Sequence, residues 1–171
     1  HLPWPDPILD DGTVEGILQA FDVQAQGGYN MVDIFGLLAP QGWPVDLASA
    51  VDKERDRRVR EILGAAHQRG IKVLYGLGVY SWEFGQIIKQ VPAVQGTNQY
   101  AMCASKEASW QWQEKVTDLI LSYDFDGFHL ESADLGRCAC DQCKEAWAND
   151  VAYHNYINTR TARYIRSRRP N

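Results

Sequence analysis

Cysteine is scarce in this chain: four in 171 residues, three of them within the six positions 138 to 143. That is too few for the disulfide framework of a small secreted domain, and the clustering points to one local site. Long apolar runs are also missing. No stretch approaches the roughly 18 residues that cross a bilayer, and no signal-peptide pattern opens the sequence, so no membrane association is expected. An excess of positive charge is lacking as well. The formal net charge of -5 removes the usual electrostatic reason to expect nucleic acid as a partner. The local exception, "RTARYIRSRRP" with Arg160, Arg163, Arg166, Arg168 and Arg169, reads as a solvated helix end whose cations suit the helix dipole. There is no N-x-[ST] sequon. The expectation is a soluble protein, cytoplasmic or secreted, whose first residue, His1 in place of Met, marks a processed or excised N-terminus.

What is present is enough apolar and aromatic residue for a sizeable core, at 45% and 11% of the chain. After a proline-rich entry, Val14, Ile17, Leu18 and Phe21 repeat at helical spacing behind Thr13, a candidate cap, and Gly27-Gly28 supplies the stop. "YNMVDIFG" predicts a strand over 29–36. A charged helix follows over 51–70, with Val59, Ile62, Leu63 and Ala66 on one face. "IKVLYGLG", residues 71–78, is almost continuously apolar, the pattern of a strand covered on both faces. A long loop over 79–103, with room for one short helix, leads to a helix that Ser105 can cap, with Trp112, Val116, Leu119, Ile120 and Tyr123 facing inward. "DGFHLES", 126–132, predicts a third strand, and one long helix from Cys143 closes the chain.

A leading helix and three strand-helix units imply an α/β fold with a parallel sheet and right-handed crossovers. Gly76, Gly78 and Gly85 have the wrong spacing for a dinucleotide-binding turn, and no organic cofactor is expected. Long loops after the strands suit the functional face of a (β/α)8 TIM barrel. Such a barrel takes about 250 residues, so residues 1–171 read as a single domain that is an incomplete, partial barrel.

Strand alternation assigns the residues of "DGFHLES". Phe128 and Leu130 should pack under helices, whereas Gly127, His129 and Glu131 should face the barrel axis. Glu131 then ends a strand at the catalytic rim, where partial burial would raise its pKa and suit it to general acid chemistry. A structural Glu is the competing reading. His129, one layer deeper, reads as an orienting or substrate-binding partner. Asp134 is a second candidate carboxylate or the cap of a turn. Asp33 is placed on the axial side, since an unpaired buried carboxylate under helices is costly, with a substrate-binding or supporting role. Trp43, Tyr80 and Trp82, on long loops, offer flat faces for sugar rings or serve ordinary loop packing.

Cys138, Cys140 and Cys143 form C-x-C-x-x-C, and Cys103 lies on the preceding loop. Four thiolates there suit a closed structural zinc site that staples two loops; disulfides and iron-sulfur ligation are the alternatives.

The segments "YNMVDIFG", "ILGAAHQRGIKVLYGLGVY", "AMCAS" and "DFDGFHLESADLGRCACDQC" resemble the second to fourth βα units of (β/α)8 glycoside hydrolases. They are similar above all to bacterial α-glucuronidase-like and hexosaminidase-like families, and the cysteines resemble the structural zinc site of some bacterial β-galactosidases. The resemblance implies a carbohydrate substrate and maps the acid/base onto Glu131. Two positions depart from it: the Asn-Glu pair of the β-galactosidases is Leu130-Glu131, and the adjacent Asp-Glu of hexosaminidases is replaced by Glu131 and Asp134. The expected function is glycoside hydrolysis. A divalent-metal sugar isomerase or hydrolase using His129, Glu131 and Asp134, and a non-catalytic carbohydrate-binding barrel, are the alternatives. With the nucleophile expected on a later strand, residues 1–171 alone should show little or no hydrolysis.

Overall fold

The computed structural model describes residues 8–132 and 136–170. In chain order the elements are α1 (Asp11–Gln26), β1 (Met31–Phe35), α2 (Lys53–Gln68), β2 (Lys72–Gly78), α3 (Gly85–Gln90), α4 (Glu107–Leu121), β3 (Gly127–Glu131), α5 (Asp141–Ala146) and α6 (Asp150–Arg168), with short 3-10 turns between them. The sheet has the order β1-β2-β3. β1 and β2 pair in parallel, Met31 beside Lys72 and Phe35 beside Gly76. β3 runs the same way, since Asp126 N–H donates to Val73 at one end and Val79 N–H donates to Glu131 at the other. The strand-helix alternation read from the sequence is therefore present as a small parallel sheet.

The chain forms two compact units, the first from His1–Gln41, Ala48–Leu77 and Ile120–His129, the second from Gly42–Leu47, Gly78–Leu119 and Leu130–Asn171. In the first unit α1 and α2 end alike. Gly28 and Gly70 have φ of 79° and 70°. Their N–H groups and those of the next residues, Tyr29 and Ile71, bond back to Ala25, His67, Gln24 and Ala66. This is the Schellman stop, which needs a residue free to take positive φ. The starts are also alike: Asp10, and not Thr13 as expected, caps α1 by accepting the Thr13 N–H, and Asp52 caps α2 by accepting the Arg55 N–H. On α2, Val59, Ile62, Leu63 and Ala66 are all buried, as their spacing predicts.

The sheet of the first unit has one covered and one open face. Val32, Ile34, Val73 and Tyr75 are buried, whereas Met31 and His129 are exposed and Asp33 and Leu74 are half-buried. The two-sided cover expected for β2 is thus one-sided at Leu74. Phe128 and Leu130 are only half-buried, because β3 lies at the edge of the sheet.

In the second unit α4 and α6 pack through polar and aromatic groups. The Tyr164 hydroxyl donates to Asp118 Oδ2 at 3.0 Å, Arg168 pairs with Asp118, and the Arg160 guanidinium lies 4.0 Å from the centre of the Trp110 ring. Arg168 is therefore a helix-packing residue as well as a helix-end cation, whereas Arg160, expected at the helix end, lies in mid-helix and packs on α4. The single closing helix expected from Cys143 is two helices. Trp147 is extended (φ -132°, ψ 118°), and Asn149 caps a new start by accepting the Ala152 N–H.

Candidate functional site

In the first unit the structure brings together two of the residues singled out by strand alternation. His129 Nδ1 lies 2.8 Å from Asp33 Oδ2, and the His129 ring meets Phe35 edge to face at 5.1 Å. The register explains this: Asp33 lies beside Leu74, and a Cβ on Gly127 would reach Leu74 at 3.0 Å, so Asp33, Leu74, Gly127 and His129 share the open face. Asp33, Leu74 and His129 border a depression of about 470 Å³ with Tyr29 and Met31. Asp33 there fixes the imidazole tautomer, leaving Nε2 free to act as the other partner in a hydrogen bond.

Glu131 ends β3 in the second unit, half-buried, its carbonyl accepting the Val79 N–H at 2.7 Å. Asp134 lies outside the described residues. Trp43 and Tyr80 differ from the expectation of open stacking surfaces. Both are completely buried, so neither presents a ring face to solvent. Trp43 is held by Glu83, another residue of the long loops. The Trp43 indole N–H donates to Glu83 Oε2 at 3.3 Å and its backbone N–H donates to the Glu83 carbonyl at 2.7 Å. Gly42 permits the approach, because a Cβ there would lie 2.8 Å from that carbonyl oxygen. Glu83 is 1% exposed, and a carboxylate so buried requires such partners. Tyr80 packs its ring inward from a positive φ of 62°, a strained conformation for an aromatic residue, with its N–H on Gln113 Oε1 at 3.0 Å. Trp82 alone of the three is partly exposed.

The four cysteines converge, their sulfurs all within 4.8 Å of one another. Cys103 Sγ lies 3.7 Å from both Cys140 and Cys143. All four are free, and three are buried. A tetrahedral zinc with bonds of about 2.3 Å holds its sulfurs roughly 3.8 Å apart, so the separation fits shared coordination, whereas a disulfide needs about 2.05 Å. The surroundings supply donors for thiolates. Thr97 N–H donates to Cys138 Sγ at 3.4 Å, the Ser105 hydroxyl lies 3.1 Å from Cys103 Sγ, and the Cys143 thiol donates to Ser105 Oγ at 3.5 Å. Ser105, expected as a helix cap, is thus turned to the sulfurs.

The thiols are tuned unequally. Burial works against the Cys138 thiolate, but the N–H groups of Cys140 and Thr97, the Thr97 hydroxyl and Cys103 outweigh it and bring the pKa down to about 6. Cys140 is lowered chiefly by the Cys143 N–H. Burial pushes Cys103 up to about 12 and raises Cys143. The cluster can hold a metal ion, with Trp147 packed against it. Thr97 and Gly96 carried no signal in the sequence, since their role depends on a fold that brings 96–97 to 138.

No protein-family model matches the sequence, and no curated protein does. By structure the chain is similar to a β-N-acetylhexosaminidase from Bacteroides fragilis NCTC 9343, with a TM-score of 0.67 and 19% identity over 91% of this chain and 37% of that one. It is similar also to an exo-β-N-acetylglucosaminidase from Vibrio harveyi in complex with N-acetylglucosamine, with a TM-score of 0.60 and 12% identity over 90% of this chain and 31% of that one. A maltogenic α-amylase from Thermotoga neapolitana gives 0.56 and 12%, over 79% of this chain and 38% of that one. The chain thus spans well under half of the length of each. At these identities the likeness is one of fold, a fold that glycoside hydrolases use.

Proposed function

We propose that this chain is part of a (β/α)8 glycoside hydrolase in which Glu131 is the general acid/base. The observation that carries the reading is a carboxylate ending a parallel strand, with its backbone pinned by Val79, in a fold shared with glycosidases. In barrels of this kind the chemistry sits at the C-terminal ends of the strands. Glu131 would protonate the glycosidic oxygen as the bond to the anomeric carbon breaks; in a retaining enzyme it would then, as carboxylate, take a proton from the attacking water, a task that falls to the partner carboxylate in an inverting one. The partner carboxylate lies about 5 to 5.5 Å away in a retaining enzyme and about 6.5 to 9.5 Å in an inverting one. It is assigned to a later strand, with Asp134 as the other candidate. In the first unit, the Asp33 carboxylate and His129 Nε2 offer fixed acceptors for hydroxyl groups.

The four thiolates are proposed to hold a structural zinc. Cys103, Cys138, Cys140 and Cys143 fill a tetrahedral shell, leaving no position for substrate, so the ion would fix the loop after β2 to the loop after β3.

The acid role is tested with Glu131→Gln in the full-length protein. Turnover of an alkyl glycoside should fall about 10²- to 10⁴-fold, and the loss should shrink for an aryl glycoside whose leaving group needs no proton. Unchanged turnover of both substrates would sink the assignment.

A further inference from the structure

Apart from the strand ends, the second unit contains a cleft of about 450 Å³ between the segment running from Trp82 into α3 and the loop Gln95–Tyr100. We propose that this cleft binds a pyranose ring of an oligosaccharide by stacking it on Trp82, a reading that rests on the carbohydrate-directed function above and adds a second point of attachment to it.

The cleft has the size and mixed lining of a small-ligand site. Trp82 lines it, and its indole is fixed from behind. A Cβ on Gly78 would lie 2.8 to 2.9 Å from the ring atoms Cε2, Cδ2 and Nε1, so the indole is seated on bare backbone. A ring held this way is a rigid apolar platform and loses little freedom when a ligand covers it. Tyr100, 56% exposed, supplies a second aromatic surface. The remaining lining includes Gln99 and Lys89, groups that exchange hydrogen bonds with hydroxyls, and Thr97 and Asn98, whose side chains hold the loop itself. A pyranose answers flat apolar faces beside hydrogen-bonding side chains with its C–H face and its equatorial hydroxyls. A purely aliphatic ligand would leave these polar groups uncompensated.

The wall of the cleft is tied to the thiol cluster. Asn98 is held by its own side chain, which accepts the Tyr100 N–H at 2.8 Å. Thr97 donates to Cys138 Sγ through its N–H, and its hydroxyl accepts the Ala139 N–H at 2.6 Å. The loop that carries Tyr100 therefore hangs from the same residues that would bind the metal. Saccharide affinity should fall when the thiols are stripped of metal.

The test is titration of the protein, labelled at its tryptophan indole nitrogens, with chitotriose and separately with maltotriose at millimolar concentrations. Trp82→Phe assigns the Trp82 indole signal. The expected result is a saturable shift of that signal, weakened about tenfold or more by Tyr100→Ala, the scale of one lost stacking contact, and a saturable heat of binding in calorimetry that Trp82→Ala abolishes. Tyr100 is exposed, so its removal leaves the core intact if Trp82→Ala proves poorly folded. Preference for chitotriose assigns an acetamido sugar, and preference for maltotriose a plain glucan; either supports the cleft. No shift with either sugar, or binding that survives Tyr100→Ala unchanged, overturns it. Glu131→Gln should bind as the parent does. Loss of saccharide binding with turnover still dependent on Glu131 would end this proposal alone, and the reverse pattern would end the acid assignment alone.

Discussion

Gly96 has no room for a side chain. A Cβ there would lie 2.4 Å from Cys138 Sγ and 3.0 Å from Cys103 Cβ, closer than real atoms approach. Gly96→Ala must push one sulfur out of the cluster, and the expected outcome is that a metal ion loaded into the proposed site is lost to mild chelator more readily than from the parent. Metal content after dialysis against EDTA checks this, and a variant that retains metal as the parent does would refute it. The same scale shows what single residues disclose. The thiols announced themselves by type and spacing, because few other chemistries place three cysteines in six positions. Trp43 and Tyr80 did not disclose that they are core residues, since an aromatic on a long loop is equally suited to a ligand or to the interior. Glu83 decided the matter for Trp43 by accepting its indole N–H.

At the scale of elements, α1 and α2 were legible because their apolar spacing and glycine stops agree with one another, although the cap of α1 is Asp10 and not Thr13. α6 was less so. Its start depends on Asn149, whose side chain accepts the Ala152 N–H at 2.9 Å after Trp147 has left helical geometry. From composition alone "CKEAWANDVAYHNY" runs on as helix; the break follows from Cys143 and Trp147 belonging to the sulfur cluster. Asn149→Ala should therefore cost about 1 kcal/mol, the usual loss for a helix cap, and lower the melting temperature by a few degrees. Thermal unfolding followed by circular dichroism measures it; a variant as stable as the parent would show the cap to be idle.

For the whole molecule, the thiol cluster links metal, pH and stability. Metal binding requires thiolates, so protons compete with the ion. Cys138, with a pKa near 6, is already mostly ionised at neutral pH, whereas Cys103, near 12, must give up its proton to the metal. Affinity is therefore expected to fall as pH falls, and to fall more steeply once Cys138 also becomes protonated below about 6. Since a metal that binds only the folded chain stabilises it, the melting temperature of the metal-loaded protein should drop in the same window. Cobalt titrations between about pH 8 and about pH 5 test the sign. Affinity independent of pH would mean that the thiols are not the ligands.

The sequence by itself determined the alternation of helix and strand, the parallel sheet that such alternation requires, and the identity of the cysteine group, because periodicity and side-chain chemistry are local properties. Tertiary structure alone decided that His129 meets Asp33, that Thr97 and Ser105 serve the sulfurs, that Trp43 and Tyr80 are interior, and that Trp82 and Tyr100 share a cleft. Those outcomes depend on register between strands and on loops meeting across tens of residues. Such proximity is fixed by the packing of the chain as a whole, and no local pattern encodes it.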